Sequence, residues 1–322
     1  MNASRSKTTS ATPTRIPATR SVNDRLFRTL TRAFALAILG ITLLIAWQLF
    51  AHSRLSQQHF GLRFLWSTTW DPVANQFGAL PFLYGTLVTS AIALLLAIPL
   101  GLGTAIFLAE LAPPQVSQWL AFLVELLAAI PSVIYGLVGM FVVVPWVRQS
   151  VEPALSKTFG FLPLFQGAPY GVGFLTAGLI LTVMVVPFIT SVSREVLLAV
   201  PRIQREAALA LGATRWEVLW MAVIPYARSG ILASILLALA RALGETMAVT
   251  MVIGNRPQIV ASLFEPGYTM AAVLANEFTE ATSDLYIHAL IEIGLVLFCV
   301  TILVNGIARL MLGRLAIQPG RT

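Results

Sequence analysis

The chain has 322 residues, of which 57% are hydrophobic and only 11% are charged, and its mean hydropathy is +0.82. Soluble domains carry about 25% charged residues, so this composition excludes an ordinary soluble domain and indicates a membrane protein with several spans. The net charge of +7 does not indicate nucleic-acid binding, because the basic residues form no stripe interleaved with aromatic residues. The single cysteine, Cys299, excludes a disulfide framework or a cysteine metal cluster within one chain.

Residues 1–28 are rich in Ser, Thr, Pro and Arg, and Asp24 is the only acidic residue among them. This composition is typical of a disordered basic tail, although a transit peptide has a similar one. The apolar run that follows is too long for the core of a signal peptide, and further spans come after it. We therefore expect an uncleaved cytoplasmic tail.

A bilayer core of about 30 Å requires about 20 apolar residues in a helix. Several segments meet this requirement, which predicts an all-α membrane protein with about six transmembrane helices. The predicted spans are roughly Ala33–Phe50, Tyr84–Leu108, Leu120–Val147, Gly173–Val192, Gly230–Gly254 and Tyr286–Ala308. Pro99, Pro131 and Pro187 fall inside these spans and should kink them, which membrane helices tolerate where neighbouring groups satisfy the freed carbonyls.

The positive charges predict how the chain lies in the membrane. If the N-terminus is cytoplasmic, most of the 21 Lys and Arg residues fall in the tail, in the loop between the fourth and fifth spans, and at the C-terminus. Both termini are then cytoplasmic, and three long loops, roughly 51–83, 148–172 and 255–285, lie outside. These loops could receive a soluble binding protein or simply cover the bundle. The last is predicted to hold a helix over 269–281. Three acidic side chains in and just after this helix are predicted to face water: Glu277, Glu280 and Asp284.

The predicted third span carries two candidate features. Glu125 lies near its cytoplasmic end, where a charged side chain can reach the interface at little cost. The Pro131–Ser132 break could present backbone N–H donors to an anion at a helix N-terminus, but a structural kink is the favoured interpretation.

The loop between the fourth and fifth spans contains a charged, amphipathic stretch, residues 205–226, which is predicted to form a helix, a turn and a second helix. Pro201 suits a first helical position, and Gly212 suits the left-handed residue that ends a helix. Thr214, with Glu217 three residues later, fits a capping box for the next helix. Such a compact helical connection between two spans is suited to be gripped by a cytosolic partner.

This stretch resembles the EAA loop of the membrane subunits of ABC importers, in which Glu-Ala-Ala, Gly and Leu-Pro recur at fixed spacing. The matching residues are Glu206, Ala207, Ala208, Gly212 and Pro225. Ala222 stands where Ile is usual and Ile224 where Leu is usual, and both departures are apolar and mild. The resemblance implies that residues 193–228 form a coupling loop that docks into a cleft on an ATPase subunit.

A wider resemblance, from about residue 60 to about residue 309, is to the phosphate-specific transport permeases of the PstC type. The segments that carry it are Thr69–Pro72, Phe77–Pro81, Tyr84–Ser90, Phe107–Pro113, Ala129–Gly136 and Arg241–Thr246. The resemblance implies a type I ABC importer permease fold over 84–309, preceded by a first transmembrane helix, 33–50, and a periplasmic loop, 51–83. It also implies a second homologous permease subunit, two ATPase subunits that bind the ATP, and a periplasmic phosphate-binding protein.

Arg241 and Glu245 are the principal site candidates. They are four residues apart in the predicted fifth span, so both should lie on one face of that helix. An ionised group near a membrane centre costs on the order of 3 kcal/mol, so the pair should face the bundle or a watery path. A guanidinium fits phosphate oxygens, and the resemblance places this segment among the family's functional residues. We expect Arg241 to meet the anion and Glu245 to position Arg241 in its absence; the alternative is a salt bridge that only fixes helix packing.

The remaining ionisable residues indicate little further chemistry. Glu292 lies one turn after His288 in the sixth span, where a simple polar pair is favoured over a proton relay. The histidines show no metal-binding spacing with one another. The only lysines, Lys7 and Lys157, each follow a serine, which excludes a Gly-Lys-Ser or Gly-Lys-Thr P-loop in this chain.

The sequence therefore predicts a permease subunit of an ABC importer that moves inorganic phosphate across a bacterial inner membrane, with no catalytic residue and no cofactor of its own. Another oxyanion, such as sulfate or molybdate, remains open because Arg241 does not choose among them. An ion-coupled secondary transporter with Glu245 as the proton or cation site is the alternative from another class, and it leaves the EAA loop unexplained. A sensor subunit without flux of its own is a third alternative.

Overall fold

The computed structural model describes residues 22–316, and almost all of its regular structure is helical. The helices are numbered here in chain order, and a π-helical turn inside a long helix is counted with it. They are α1 Val22–His52, α2 Arg54–Phe60, α3 Arg63–Trp66, α4 Leu80–Ile106, α5 Pro114–Ala129, α6 Ser132–Phe159, α7 Phe174–Leu198, α8 Arg202–Ala210, α9 Arg215–Gly244, α10 Met247–Val252, α11 Met270–Glu277 and α12 Asp284–Ala316. The π-helical turns are Phe107–Leu111, which extends α4, then Gly139–Val143, Val147–Val151 and Leu219–Val223.

Within residues 22–316, six helices are long and apolar enough to cross a membrane, which confirms the predicted number of spans. They lie in α1, α4, α6, α7, α9 and α12. The first begins at Val22 rather than at Ala33, so the end of the segment predicted as a tail, 1–28, is helical. Residues 1–21 lie outside the described residues.

The predicted third span, Leu120–Val147, is wrong in one respect: it is two helices, α5 and α6, separated at Ile130 and Pro131. Both residues have extended backbone, with ψ of 129° and 139°. Pro131 has no N–H to offer the carbonyl four residues earlier, which belongs to Leu127. The hydroxyl of Tyr135 donates to that carbonyl at 2.7 Å, beside the backbone N–H of Ile130 at 3.3 Å, so a side chain supplements the backbone bonding at the break.

The predicted fifth span, Gly230–Gly254, is also corrected. The helix α9 begins much earlier, at Arg215, and ends at Gly244. Glu245 has extended backbone, with φ −70° and ψ 127°, and the short helix α10 starts two residues later. The residues before Arg241 and after Thr246 are mostly apolar, which is why composition alone predicted one continuous helix.

The helices α4 and α7 are held at close range by glycines. A Cβ atom on Gly101 of α4 would lie 2.8 Å from the Cβ of Ile189, and one on Gly178 of α7 would lie 2.4 Å from the Cγ2 of Ile92. The hydroxyl of Thr190 donates to the carbonyl of Gly101 across the same interface at 3.1 Å. Small residues thus permit the backbone approach that membrane helices use for packing.

The chain divides into two compact units, residues 1–48 and residues 49–322. The first unit contains most of α1, whose described side chains are nearly all exposed. In the second unit, the segment 53–79 packs its aromatic side chains into a cluster with α4, α11 and α12. Members of this cluster include Phe64, Trp70, Phe77, Phe82 and Tyr286.

One carboxylate joins this aromatic cluster to α11. The Oε2 atom of Glu277 accepts hydrogen bonds from the indole of Trp70 at 2.8 Å and from the hydroxyl of Tyr286 at 2.6 Å. The prediction that Glu277 faces water is therefore wrong, whereas Glu280 and Asp284 are exposed as predicted. The helix expected over 269–281 is shorter, Met270–Glu277, and is capped by the hydroxyl of Thr269.

Candidate functional site

The connection between α7 and α9 folds as the sequence predicts, and residues 202–218 are called the elbow here. Gly212 has a φ of +90°, the left-handed conformation that favours glycine, and it ends the helix α8. The hydroxyl of Thr214 accepts from the backbone N–H of Glu217, whose carboxylate accepts from the backbone N–H of Thr214 at 2.7 Å. Both local signals, the glycine turn and the capping box, are confirmed.

The elbow has one face on the protein and one face in the open. Ala208, Ala213 and Val218 pack against an apolar cluster at the ends of α4, α7 and α9. On the other side, Ile203 is 72% exposed and Leu211, beside Gly212, is 89% exposed. Exposed apolar side chains at both ends of one short helix are typical of an interaction surface.

The predicted coupling residues divide between these two faces. Glu206, Ala207 and Gly212 are exposed, whereas Ala208 is half-buried. Pro225 is exposed on α9, just after the π-helical turn Leu219–Val223. The first residues of the predicted loop 193–228 are still part of α7, which ends at Leu198.

The sequence interpretation missed the residue that fastens the elbow to the rest of the protein. Arg205, on the inward side of α8, donates through Nη2 to the Oε1 atom of Glu110 at 2.7 Å. Glu110 lies in the π-helical turn that ends α4. The only available signal was the presence of two opposite charges 95 residues apart, which a single sequence does not connect.

Arg241 and Glu245 do not form the predicted pair. The helix ends between them, so they are no longer one turn apart on one face, and no ion pair joins these two described residues. Glu245 instead accepts a hydrogen bond from the backbone N–H of Ala248 at 3.3 Å, at the start of α10. Its carboxylate is used locally, in the manner of a helix-capping group.

The guanidinium of Arg241 is left with donors to spare. Its central carbon lies 4.4 Å from the centre of the Phe188 ring on α7, a cation–π contact. Its Nε atom is buried and has no hydrogen-bond partner among the described residues. A guanidinium carries five N–H donors, so this side chain can receive an anion without first losing an ion pair.

The two weaker site candidates from the sequence are Glu125 and Glu292. Glu125 is exposed. Glu292 is 7% exposed and borders an apolar cavity of about 630 Å³. Its Oε2 atom and the Nδ1 atom of His288 both lack a hydrogen-bond partner among the described residues. The polar pair expected between Glu292 and His288 is therefore not formed. Within residues 22–316, no group of three or more His, Cys, Asp and Glu residues could hold a metal ion.

The family model of binding-protein-dependent transport system inner membrane components matches residues 97–316. The phosphate transport system permease protein PstC of Mesorhizobium japonicum is 48% identical over 304 residues, covering 93% of this chain and 93% of the relative. The PstC protein of Pasteurella multocida is 46% identical over 302 residues, covering 92% and 94%.

Two solved structures share the fold at low sequence identity. A bacterial ABC transporter involved in the import of the acidic polysaccharide alginate aligns with a TM-score of 0.56 and 16% identity, covering 91% of this chain and 99% of the other. The MetNI methionine ABC transporter, in an inward-facing conformation, aligns with a TM-score of 0.53 and 16% identity, covering 77% and 100%.

Proposed function

We infer that this protein conducts inorganic phosphate, from the premise that the chain belongs to the binding-protein-dependent transport system inner membrane components and, among them, to the PstC permeases. It is a multi-pass permease subunit of an ABC transporter, and ATP is hydrolysed on a partner subunit. Residues 84–309 are the transport domain in this proposal, and residues 193–228 hold the coupling loop.

The observation that carries the proposal is the unsatisfied guanidinium of Arg241 at the end of α9. A phosphate that reaches this level has lost part of its hydration, and planar N–H donors replace those water contacts. Because Phe188 holds the guanidinium by its face, the N–H edge stays free to accept and release the anion. In this mechanism Glu245 fixes the start of α10 beside the path rather than neutralising Arg241.

The elbow supplies the other half of the mechanism. Its exposed apolar surface, with Ile203 and Leu211, enters the cleft of the ATPase subunit. Closure of the ATPase pair moves the elbow, and the spans alternate between outward-open and inward-open states. Such a change can be driven only by partners that bind the two states with different affinity.

The orientation and the partners belong to the same proposal. The positive charges favour cytoplasmic N- and C-termini and a cytoplasmic elbow, in the bacterial inner membrane. The complete transporter would contain a second homologous permease, an ATPase dimer and a periplasmic phosphate-binding protein that delivers the substrate. The protein itself requires no cofactor, no metal and no nucleic acid.

The test is phosphate uptake into proteoliposomes that hold this chain with its candidate partners, with and without ATP on the elbow side. We expect uptake that requires both ATP and the binding protein, and its loss in Arg241→Gln. Arg256→Gln is the matched control, because Arg256 is exposed in the loop after α10 and carries the same charge outside the spans.

Each other outcome changes the proposal in a defined way. Uptake without ATP would replace it with the ion-coupled secondary transporter. ATP-dependent uptake of sulfate or molybdate, but not of phosphate, would keep the importer and change its substrate. Normal phosphate uptake by a stably inserted Arg241→Gln protein would remove Arg241 from the path.

A further inference from the structure

Arg205 forms hydrogen bonds with three residues outside its own helix. Its Nη2 and Nε atoms lie 2.7 and 3.3 Å from the same carboxylate oxygen of Glu110. Nη2 also donates to the carbonyl of Leu197 at 2.8 Å, and Nη1 donates to the carbonyl of Val200. One side chain of the elbow therefore holds both the end of α4 and the end of α7.

The two acceptor groups complement an arginine for different reasons. Leu197 lies in the last turn of α7 and Val200 lies two residues after its end, where the helix dipole favours a positive charge. Glu110 supplies the negative charge. The side chains of Arg205 and Glu110 are only 20% and 18% exposed, so solvent screens their attraction less than it would at the surface.

The remaining contacts between the elbow and the protein are of another kind. Ala208, Ala213 and Val218 pack by apolar contact, which has no preferred direction. Such a surface resists separation but does not define how far one element follows another. The hydrogen bonds of Arg205 have fixed directions, so a displacement of α8 acts on the ends of α4 and α7 through them.

The helix α7 leads from this junction to the proposed substrate path. Leu197 accepts from Arg205 at one point of α7, and Phe188 stacks on Arg241 at another. The two residues are about 14 Å apart along a helix that rises 1.5 Å per residue. The same helix is packed closely on α4 through Gly101 and Gly178, so a displacement of one of these two helices acts directly on the other.

We propose that the Arg205–Glu110 ion pair is the joint through which the elbow drives α4 and α7, and with them the Phe188–Arg241 contact. The proposal rests on the proposed function, because it presupposes an ATPase that moves the elbow. Arg205 and Glu110 are positioning residues in this scheme: neither touches the substrate or the nucleotide.

The experiment measures the number of phosphate ions taken up per ATP hydrolysed by the reconstituted complex. We expect Glu110→Gln, which keeps the shape and removes the charge, to lower this ratio by on the order of tenfold, within the usual range of coupling between sites. The matched control is Glu280→Gln. Glu280 is an exposed carboxylate after α11, far along the chain from the coupling loop, and it forms no ion pair with another described residue, so the ratio should stay at the wild-type value.

A double-mutant cycle separates a joint from two independent structural effects. If the two residues act as one joint, Glu110→Gln combined with Arg205→Gln lowers the ratio no further than Arg205→Gln alone. An additive loss, or a wild-type ratio in Glu110→Gln, would overturn the proposal. If Glu110→Gln fails to assemble, Arg205→Lys keeps the charge but lacks the planar fork, and a wild-type ratio in that variant would overturn the proposal as well.

Failure of the proposed function gives a different result. A wild-type complex that transports no phosphate rejects the substrate, and the same ratio is then measured with the oxyanion that is transported. A wild-type complex that transports without ATP rejects the importer and, with it, the joint.

Discussion

Arg205 and Arg241 are the same side chain in opposite situations. Arg205 has a carboxylate and two backbone carbonyls around its guanidinium. Arg241 has the face of one aromatic ring, and its buried Nε atom is without a partner among the described residues. A saturated arginine stabilises a junction, whereas an unsaturated one keeps its donors for a group that the protein does not supply.

The comparison explains why a charge in a membrane span is informative only together with its partners. Breaking a buried pair by removing one member leaves the other charge exposed to an apolar environment, so such pairs are costly to alter. A buried guanidinium without an ion-pair partner already has this energetic cost in the native protein. It is retained where it does something else, and an anion in transit is the ligand that its chemistry fits.

The largest effects should separate the two arginines by their readout. Arg241→Gln removes a charged hydrogen-bond donor to the substrate, worth about 1.5–3 kcal/mol, and should reduce phosphate uptake by about 10- to 100-fold. It should change the melting temperature only slightly, because no internal hydrogen bond or ion pair is lost and only the cation–π contact with Phe188 is removed. Arg205→Gln should instead lower the stability by about 1–3 kcal/mol, since Glu110 and two carbonyls lose a donor.

Uptake assays and thermal unfolding in the same detergent or nanodisc preparation check both halves of this prediction. A lower melting temperature for Arg241→Gln than for Arg205→Gln would contradict this prediction. That result would show that Arg241 is the structural cation of the pair.

The next prediction concerns Gly212, the residue that forms the turn of the elbow. With a φ of +90°, an alanine at this position would cost about 1–2 kcal/mol, even though a Cβ atom there would meet open space. We expect Gly212→Ala to weaken the stimulation of the ATPase by the permease and to lower the uptake per ATP. Gly103→Ala is the control, because Gly103 is exposed, helical and equally free of contacts, so its substitution should be neutral or slightly stabilising.

The success of the sequence interpretation depended on distance along the chain. The turn at Gly212 and the Thr214–Glu217 capping box were predictable because each depends only on residues a few positions apart. The Arg205–Glu110 pair was not, because nothing local reports a partner 95 residues away. Glu277 was assigned to water for the same reason: its donor, Trp70, is 207 residues earlier.

Tyr135 tests the support of the bundle near the break in the third predicted span. Tyr135→Phe removes the shorter of the two hydrogen bonds to the carbonyl of Leu127, the other coming from the N–H of Ile130, and should lower the stability by about 0.5–1.5 kcal/mol. The melting temperature of the purified protein measures this loss. Val133→Ala, at an exposed position of the same helix, should change it less, and an equal loss in both variants would contradict the assigned role of the hydroxyl.

The smallest effect is expected for Glu245→Gln. The amide oxygen can still accept the N–H of Ala248, so uptake should stay close to the wild-type value at all pH values at which the complex is stable. A secondary transporter that binds a proton or cation at Glu245 would instead lose its uptake entirely. Uptake and its pH profile, measured beside Glu245→Ala, distinguish the two.

Errors in the predicted spans had one physical source. Hydropathy reports which residues prefer lipid, but not where the backbone leaves the helix. Glu245 interrupts a run that is apolar on both sides, so the fifth span was predicted as continuous, whereas Pro131 was expected only to kink the third span, which divides there into α5 and α6. The pairing expected between Arg241 and Glu245 depended on that continuity and is wrong with it.

The bond between Trp70 and Glu277 has a consequence for the order in which the protein is made. Chains are synthesised from the N-terminus, and early segments fold while later ones are still absent. The segment after α1 is translated 207 residues before the carboxylate that holds its indole, and before Tyr286, which shares the same oxygen. The first large loop of this protein therefore stays unfinished until the last membrane span begins to emerge.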